Sequence, residues 1–239
     1  MQLIFKKNKF TKSIYIIIFI GLVIRLLFLF FISKHYFGRE NIFVDKDTYA
    51  WAKSFENLVN IGEYTISPGN EYGYFARIPG YSFFIGIFWF FVGNWEKAFQ
   101  IVAFVQILLD LVSIWLIYKI TLKIFSNNKI ALLSSLLYSS YPFIIVWNPV
   151  AYSESISVFF MLLSIFLFIK EENNIFLSGF TLGIGTLFRP QLLLLIPIFF
   201  FIILKKYKLT KPIIFFILSI SFSYGLWPIR NFVLHRKIV

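Results

Sequence analysis

The sequence predicts an all-α membrane protein, a polytopic bundle of seven or eight transmembrane segments with one outer loop that carries interfacial helices. Three observations lead there. Of 239 residues 59% are hydrophobic and only 14% charged, mean hydropathy is +0.79, and apolar runs recur between short polar breaks. A helix needs roughly 20 apolar residues to cross a bilayer, and the chain supplies such runs repeatedly.

The apolar segments are 14–33, 81–93, 98–118, 130–147, 153–169, 175–188, 191–204 and 212–228. The lysine-rich start resembles a signal peptide, but the run from Ile14 to Ile32 is long, holds Arg25 and lacks a small-residue cleavage site, so it reads as a retained first span. Segment 81–93 is short, and 175–188 is divided from 191–204 only by Arg189 and Pro190. These are half-spans or one kinked helix.

Orientation follows the basic residues, because positively charged loops stay cytoplasmic. The clusters are Lys6, Lys7, Lys9 and Lys12, then Lys119, Lys123 and Lys129, then Lys205, Lys206, Lys208 and Lys211. All three lie inside only if 81–93 dips into the membrane without crossing, which leaves seven spans with the N-terminus cytoplasmic and the tail from Arg230 outside. If 81–93 crosses and 175–204 is one kinked helix, the middle cluster breaks the rule, so the first arrangement is preferred. The net charge of +12 is spread over inter-helix segments and forms no stripe suited to nucleic acid. The absence of cysteine excludes disulfides and thiolate metal sites.

The hydrophilic loop from Lys34 to Ile78 mixes Asp45, Asp47, Glu56, Glu63 and Glu71 with many aromatic residues. Ala50, Trp51, Phe55, Leu58 and Val59 recur at helical spacing, which suits a helix lying flat with that face in lipid. Asp45 and Asp47 precede it. A carboxylate there can act as general base, hold a divalent cation, or merely cap the helix.

Arg77, before Pro79 and Gly80, re-enters the membrane at headgroup depth, fitted either to a phosphate or to interfacial anchoring. Arg189 interrupts an apolar stretch, where an ion needs a cavity, a partner or an interface. In the preferred arrangement Arg189, Glu154 and Arg230 reach the same outer face as Asp45, Asp47 and Arg77. Glu154 can contact substrate or metal, or serve as a helix-start acid. Arg25 and Asp110 fall inside spans and can neutralise one another. His35 and His235 form no metal-ligand cluster, and no metal ligand is assigned. Gly179, Gly183 and Gly185 read as close helix packing.

The order Arg25-Leu26-Leu27, Asp45-Lys46-Asp47-Thr48-Tyr49-Ala50, Gly62-Glu63-Tyr64, Arg77-Ile78-Pro79-Gly80-Tyr81, Leu187-Phe188-Arg189-Pro190 and Trp227-Pro228-Ile229-Arg230-Asn231 resembles the N-terminal module of GT-C type glycosyltransferases, the protein mannosyltransferase and aminoarabinose transferase group. The resemblance covers essentially the whole chain as one module. It implies transfer of a sugar from a polyprenyl-phosphate donor to a lipid, glycan or protein at the outer face of a membrane, expected to be the bacterial inner membrane. It implies a catalytic acid at Asp45 or Asp47, a phosphate contact at Arg77 and secondary phosphate or sugar contacts at Arg189 and Arg230; Tyr49 and Glu154 are further candidate substrate contacts. An acid that binds metal in the aminoarabinose enzymes is Ala76 here. Such enzymes continue past the Trp-Pro-Ile-Arg-Asn segment, so the chain is expected to be a fragment, a silent remnant, or a module whose protein partner supplies the missing C-terminal region. A flippase for lipid-linked intermediates and an inactive assembly subunit are the alternative readings.

Overall fold

The computed structural model describes residues 2–170, 174–207 and 211–237, with side chains from residue 12 onward except at position 207. Lys208 and the side chains of Lys6, Lys7 and Lys9 lie outside the described residues. Every regular element among the described residues is helical.

The first rod comprises α1 (Gln2–Leu27) and α2 (Ser33–Phe37), joined without a break by a π turn at Phe28–Ile32. There the Ser33 amide donates to the Phe28 carbonyl five residues back, and the Ser33 hydroxyl donates to the Leu29 carbonyl at 2.7 Å. Gly38 ends the rod at φ 61°, a left-handed conformation that glycine adopts without penalty. The loop expected to face outward, called the outer loop below, then carries α3 (Lys46–Ile61) and a short 3₁₀ turn at Glu71–Tyr74 before α4 (Pro79–Val92). Long α5 (Trp95–Phe125) follows, then α6 (Asn128–Ser139), α7 (Pro142–Trp147), α8 (Glu154–Lys170), α9 (Ile175–Phe188), α10 (Leu195–Tyr207), α11 (Lys211–Ser223) and α12 (Leu226–His235).

Among the described residues two helices are long and apolar enough to cross a membrane, Lys12–Phe37 and Trp95–Phe125, and α11 with α12 makes a third if the pair, bent by 49°, is one span. Two expected segments divide. The run 130–147 breaks after Ser139 because Pro142 has no amide hydrogen to continue the ladder and instead opens α7. The run after Arg189 begins as a 3₁₀ turn opened by Pro190, and one apolar cluster joins Ile175 at the start of α9 to Ile203 near the end of α10. Helices α9 and α10 are therefore two elements and not one kinked rod.

Contacts fix the directions. Gly21 lies against Ile114, Arg25 meets Asp110 and Phe30 meets Phe104, so α1 and α5 are antiparallel. Tyr81 bonds Gln106 and Trp89 stacks on Trp95, so α4 folds back along the first half of α5. Helix α4 thus starts from the outer loop and ends at the head of α5, beside the tail of the first rod, without traversing the bundle. Helices α8 and α9 pair through Ser164 and Ser178. Gly179 and Gly183 seat α11 at Ser219 and Ser223, the close approach that small residues permit.

The buried centre is polar and matched. Arg25 is 1% exposed and Asp110 0%. The Arg25 Nε donates to Asp110 Oδ2 at 2.5 Å, its Nη1 donates to the carbonyls of Gly21 and Ser139 at 2.9 and 3.0 Å, and Tyr138 donates to Asp110 Oδ1 at 2.7 Å. The two ions neutralise each other, as their place in the sequence suggested, and they join α1, α5 and α6.

The stripe on α3 does not face lipid as a whole. Trp51 and Phe55 are buried, with Phe55 edge-on to Phe83 and Trp89 and its ring against Gly86. A glycine on α4 leaves a recess that an aromatic ring fills better than acyl chains do. Val59, at the far end of the stripe, is exposed.

Gly80 packs its backbone on the Leu187 carbonyl of α9. A methyl group there meets immovable backbone, so Gly80→Ala is expected to cost about 1–3 kcal/mol and lower the thermal midpoint in detergent. An unchanged midpoint would show that α4 and α9 do not meet this closely.

Candidate active site

The site begins at the head of α3. Asp45 is extended (φ −142°) and its Oδ1 accepts the Lys46 amide at 2.7 Å, while the Asp45 amide donates to Thr48 Oγ1 at 3.0 Å, closing a capping box. The Thr48 hydroxyl donates onward to the Ala151 carbonyl at 3.0 Å, and the Ala151 amide donates to the Phe43 carbonyl at 2.7 Å. The outer loop is thereby tied to the segment between α7 and α8. Gln106, fully buried on α5, holds that segment from below: its Nε2 donates to the carbonyls of Asn148 and Val150 at 2.6 and 2.8 Å, and its Oε1 accepts from the Tyr81 hydroxyl at 2.8 Å.

This scaffold presents Tyr152, whose ring stacks on Trp147 and lies edge-on to Trp51. Burial, reinforced by the neighbouring carboxylates of Asp45, Asp47 and Glu154, pushes its phenol up to about 12. It therefore stays protonated, a donor, at neutral pH. Each of the three acids meets an arginine: Arg39 lies 3.7 Å from Asp45, Arg77 2.5 Å from Asp47 and Arg189 3.0 Å from Glu154. The Arg77 guanidinium also sits over the Trp51 ring at 5.0 Å, and its Nε is buried without a hydrogen-bond partner. Glu154 and Arg189 line a cavity of about 240 Å³ with Tyr138, Tyr141, Trp147 and Val158.

Of the residues singled out from sequence, Asp45, Asp47, Arg77, Glu154 and Arg189 gather at this place. Tyr49 does not. It stands two positions past Asp47, about 200° round the helix, and is 58% exposed. Arg230 belongs to a neighbouring patch, stacked over Trp227 at 5.1 Å and donating to Asn231 Oδ1 at 2.9 Å. Trp227 lies edge-on to Tyr64, whose hydroxyl donates to Ser82 at 2.9 Å; burial raises the Tyr64 phenol well above its ordinary range, and Arg230 and Arg77 both oppose that rise. Helix α12 thus lies over the outer loop, and Lys237 pairs with Glu71.

Tyr152, Arg39 and Gln106 were not anticipated. Gln106 and Tyr152 sit in apolar or turn contexts with no periodic signal, and Arg39 precedes Asp45 by six positions in irregular chain. Among the described residues no three His, Cys, Asp or Glu side chains gather to hold a metal ion.

A family model for dolichyl-phosphate-mannose-protein mannosyltransferase matches residues 77–227. The matched range holds Arg77, Glu154 and Arg189, follows Asp45 and Asp47, and precedes Arg230. No curated protein matches the chain.

Proposed function

Since the chain belongs to the dolichyl-phosphate-mannose-protein mannosyltransferase family, membrane glycosyltransferases of the GT-C type, we propose that it moves a sugar from a polyprenyl-phosphate donor to a lipid, glycan or protein acceptor at the outer membrane face. The observation that carries this reading is the Asp47–Arg77 pair, 2.5 Å apart, with the unused Arg77 Nε beside it.

In this reaction the bond between the anomeric carbon and the phosphate oxygen breaks, and the electron pair leaves with the polyprenyl phosphate. The acceptor oxygen bonds to the same carbon and gives its proton to a carboxylate. Arg77 stabilises the departing anion and Asp47 takes the proton. Asp45 is the second acid, held by its cap and by Arg39. Arg189, Glu154 and the cavity between them are the adjoining donor contacts, with Arg230 and Tyr49 at the periphery.

The proposed arrangement is one module over residues 1–239 with its outer loop at 34–80, seven crossings, α4 on the outer side, and the N-terminus cytoplasmic in a bacterial inner membrane. The directions of α1, α4 and α5 support it, as do Lys119, Lys123 and Lys129 grouped about the α5–α6 turn. A flippase would use intramembrane charges such as Arg25, Asp110 and Arg189 to line a path; here Arg25 and Asp110 are bonded to each other, which favours the transferase.

The test is transfer of label from radiolabelled polyprenyl-phosphate sugars to acceptors in membranes holding the chain. Asp47→Asn is expected to lower transfer by about 10³-fold and Tyr152→Phe by roughly tenfold, with insertion unchanged. Full transfer by Asp47→Asn would remove that residue as base. Absence of transfer across a broad donor panel would overturn the reading in favour of an assembly subunit.

A further inference from the structure

A second cavity, of about 530 Å³, opens between the C-terminal ends of α5 and α8, lined by Trp115, Lys119, Leu122, Lys123, Ser126, Phe166, Ile169 and Lys170. It stands apart from the residues assigned above to transfer. Contacts along α5 place it at the other end of the bundle: Gln106 bonds the segment before α8, beside Tyr152, and Trp115 meets Phe166 edge-on two to three turns further along.

We propose that this cavity binds the headgroup of an anionic phospholipid of the membrane leaflet opposite the transfer site. Its two halves match the two halves of such a lipid. Trp115, Leu122, Phe166 and Ile169 form an apolar wall fit for the upper acyl chains. Lys119, Lys123 and Lys170 bring three cations from two helices to the rim, and among the described residues no carboxylate lines the cavity.

Lys119 lies over the rings of Trp115 and Tyr118, at 5.4 and 6.0 Å. Its stem thus follows the aromatic wall while its ammonium stays near the rim, the posture of a lysine at the boundary of hydrocarbon and headgroups. Ser126 adds a hydroxyl at the mouth. Basic pockets between helices on the cytoplasmic side suit anionic headgroups for this reason, and the lysine ammonium serves as a compact phosphate-binding charge. The ends of two helices alone call for one cation each. Lys119, more than one turn inside the end of α5, is not explained by that.

The test uses the whole protein in nanodiscs and reads retained lipid by native mass spectrometry. Discs of phosphatidylcholine doped with phosphatidylglycerol are compared with discs of phosphatidylcholine alone. Retention of phosphatidylglycerol is expected, with about a hundredfold loss in the triple variant Lys119→Gln, Lys123→Gln, Lys170→Gln. Trp115→Ala is expected to weaken retention as well, since it removes the apolar wall and no charge.

A control triple variant, Lys205→Gln, Lys206→Gln, Lys211→Gln, removes the same charge elsewhere and should retain the lipid. Equal loss in the control would overturn the site in favour of diffuse surface charge. Displacement of the lipid by millimolar inorganic phosphate would overturn the lipid assignment in favour of a small-anion site. Both triple variants are compared by thermal unfolding, and a fall confined to the pocket variant in discs lacking phosphatidylglycerol would assign the lysines a role in folding instead.

Discussion

Arg25→Ala is expected to lower stability by about 3–5 kcal/mol, the largest effect of any single substitution outside the site. The guanidinium is 1% exposed and bonds Asp110, Gly21 and Ser139. Its loss leaves Asp110 without its counter-ion among apolar helices, with Tyr138 as remaining donor, and two carbonyls lose the guanidinium donor. Asp110→Asn should cost less, because the amide oxygen can still accept from Arg25 and its NH2 can donate to the Tyr138 hydroxyl, although the cation is then unbalanced. The double change Arg25→Leu, Asp110→Leu should recover much of the loss, since an apolar pair leaves no charge behind. Unfolding in detergent distinguishes these variants. If Arg25→Ala unfolds with the parent protein, the pair is not buried as described.

Arg77→Ala is expected to reduce sugar transfer by roughly 10²–10³-fold while the protein remains inserted. Arg77 touches three things at once: the Asp47 carboxylate, the Trp51 ring and the Ala76 carbonyl at 3.4 Å. Its fork can therefore hold an anion and remain in register with the proposed base. Arg77→Lys keeps the charge but loses the planar fork and its stacking; it should recover only part of the activity. Initial rates over a range of donor concentrations are the measurement. Full activity in the lysine variant would mean that only the charge matters, and full activity in the alanine variant would remove Arg77 from the reaction.

The fold was legible wherever hydropathy alone decides. The first rod and α5 follow apolar runs of membrane length, and the Arg25–Asp110 pair followed from the cost of isolated ions there. Helix breaks were less legible because the apolar run continues through them. Pro142 ends the α6 run without any change of hydropathy, while Arg189-Pro190 announces its break by charge.

At the site, the sequence marked the ions and not their partners. Asp47 and Arg77 are thirty positions apart, and Glu154 and Arg189 come from different helices. Only the folded chain shows which acid meets which base. Asp45 serves as a cap, one of the readings its position allowed, and at the same time it faces Arg39. The face of α3 was misjudged because Trp51 and Phe55 satisfy an interfacial pattern equally well when a neighbouring helix offers Gly86 as a recess.

The π turn at Phe28–Ile32 alters helical phase. Each residue of a regular helix advances by about 100°, so one residue held within a wider turn sets everything after it at a different azimuth from that of an unbroken helix. Arg25 lies before the turn and faces Asp110; Arg39 lies after it and reaches Asp45. The same rod therefore aims one arginine into the bundle and, beyond the left-handed turn at Gly38, leads to a second at the edge of the candidate site, so the angle between them depends on the π turn and on Gly38 together.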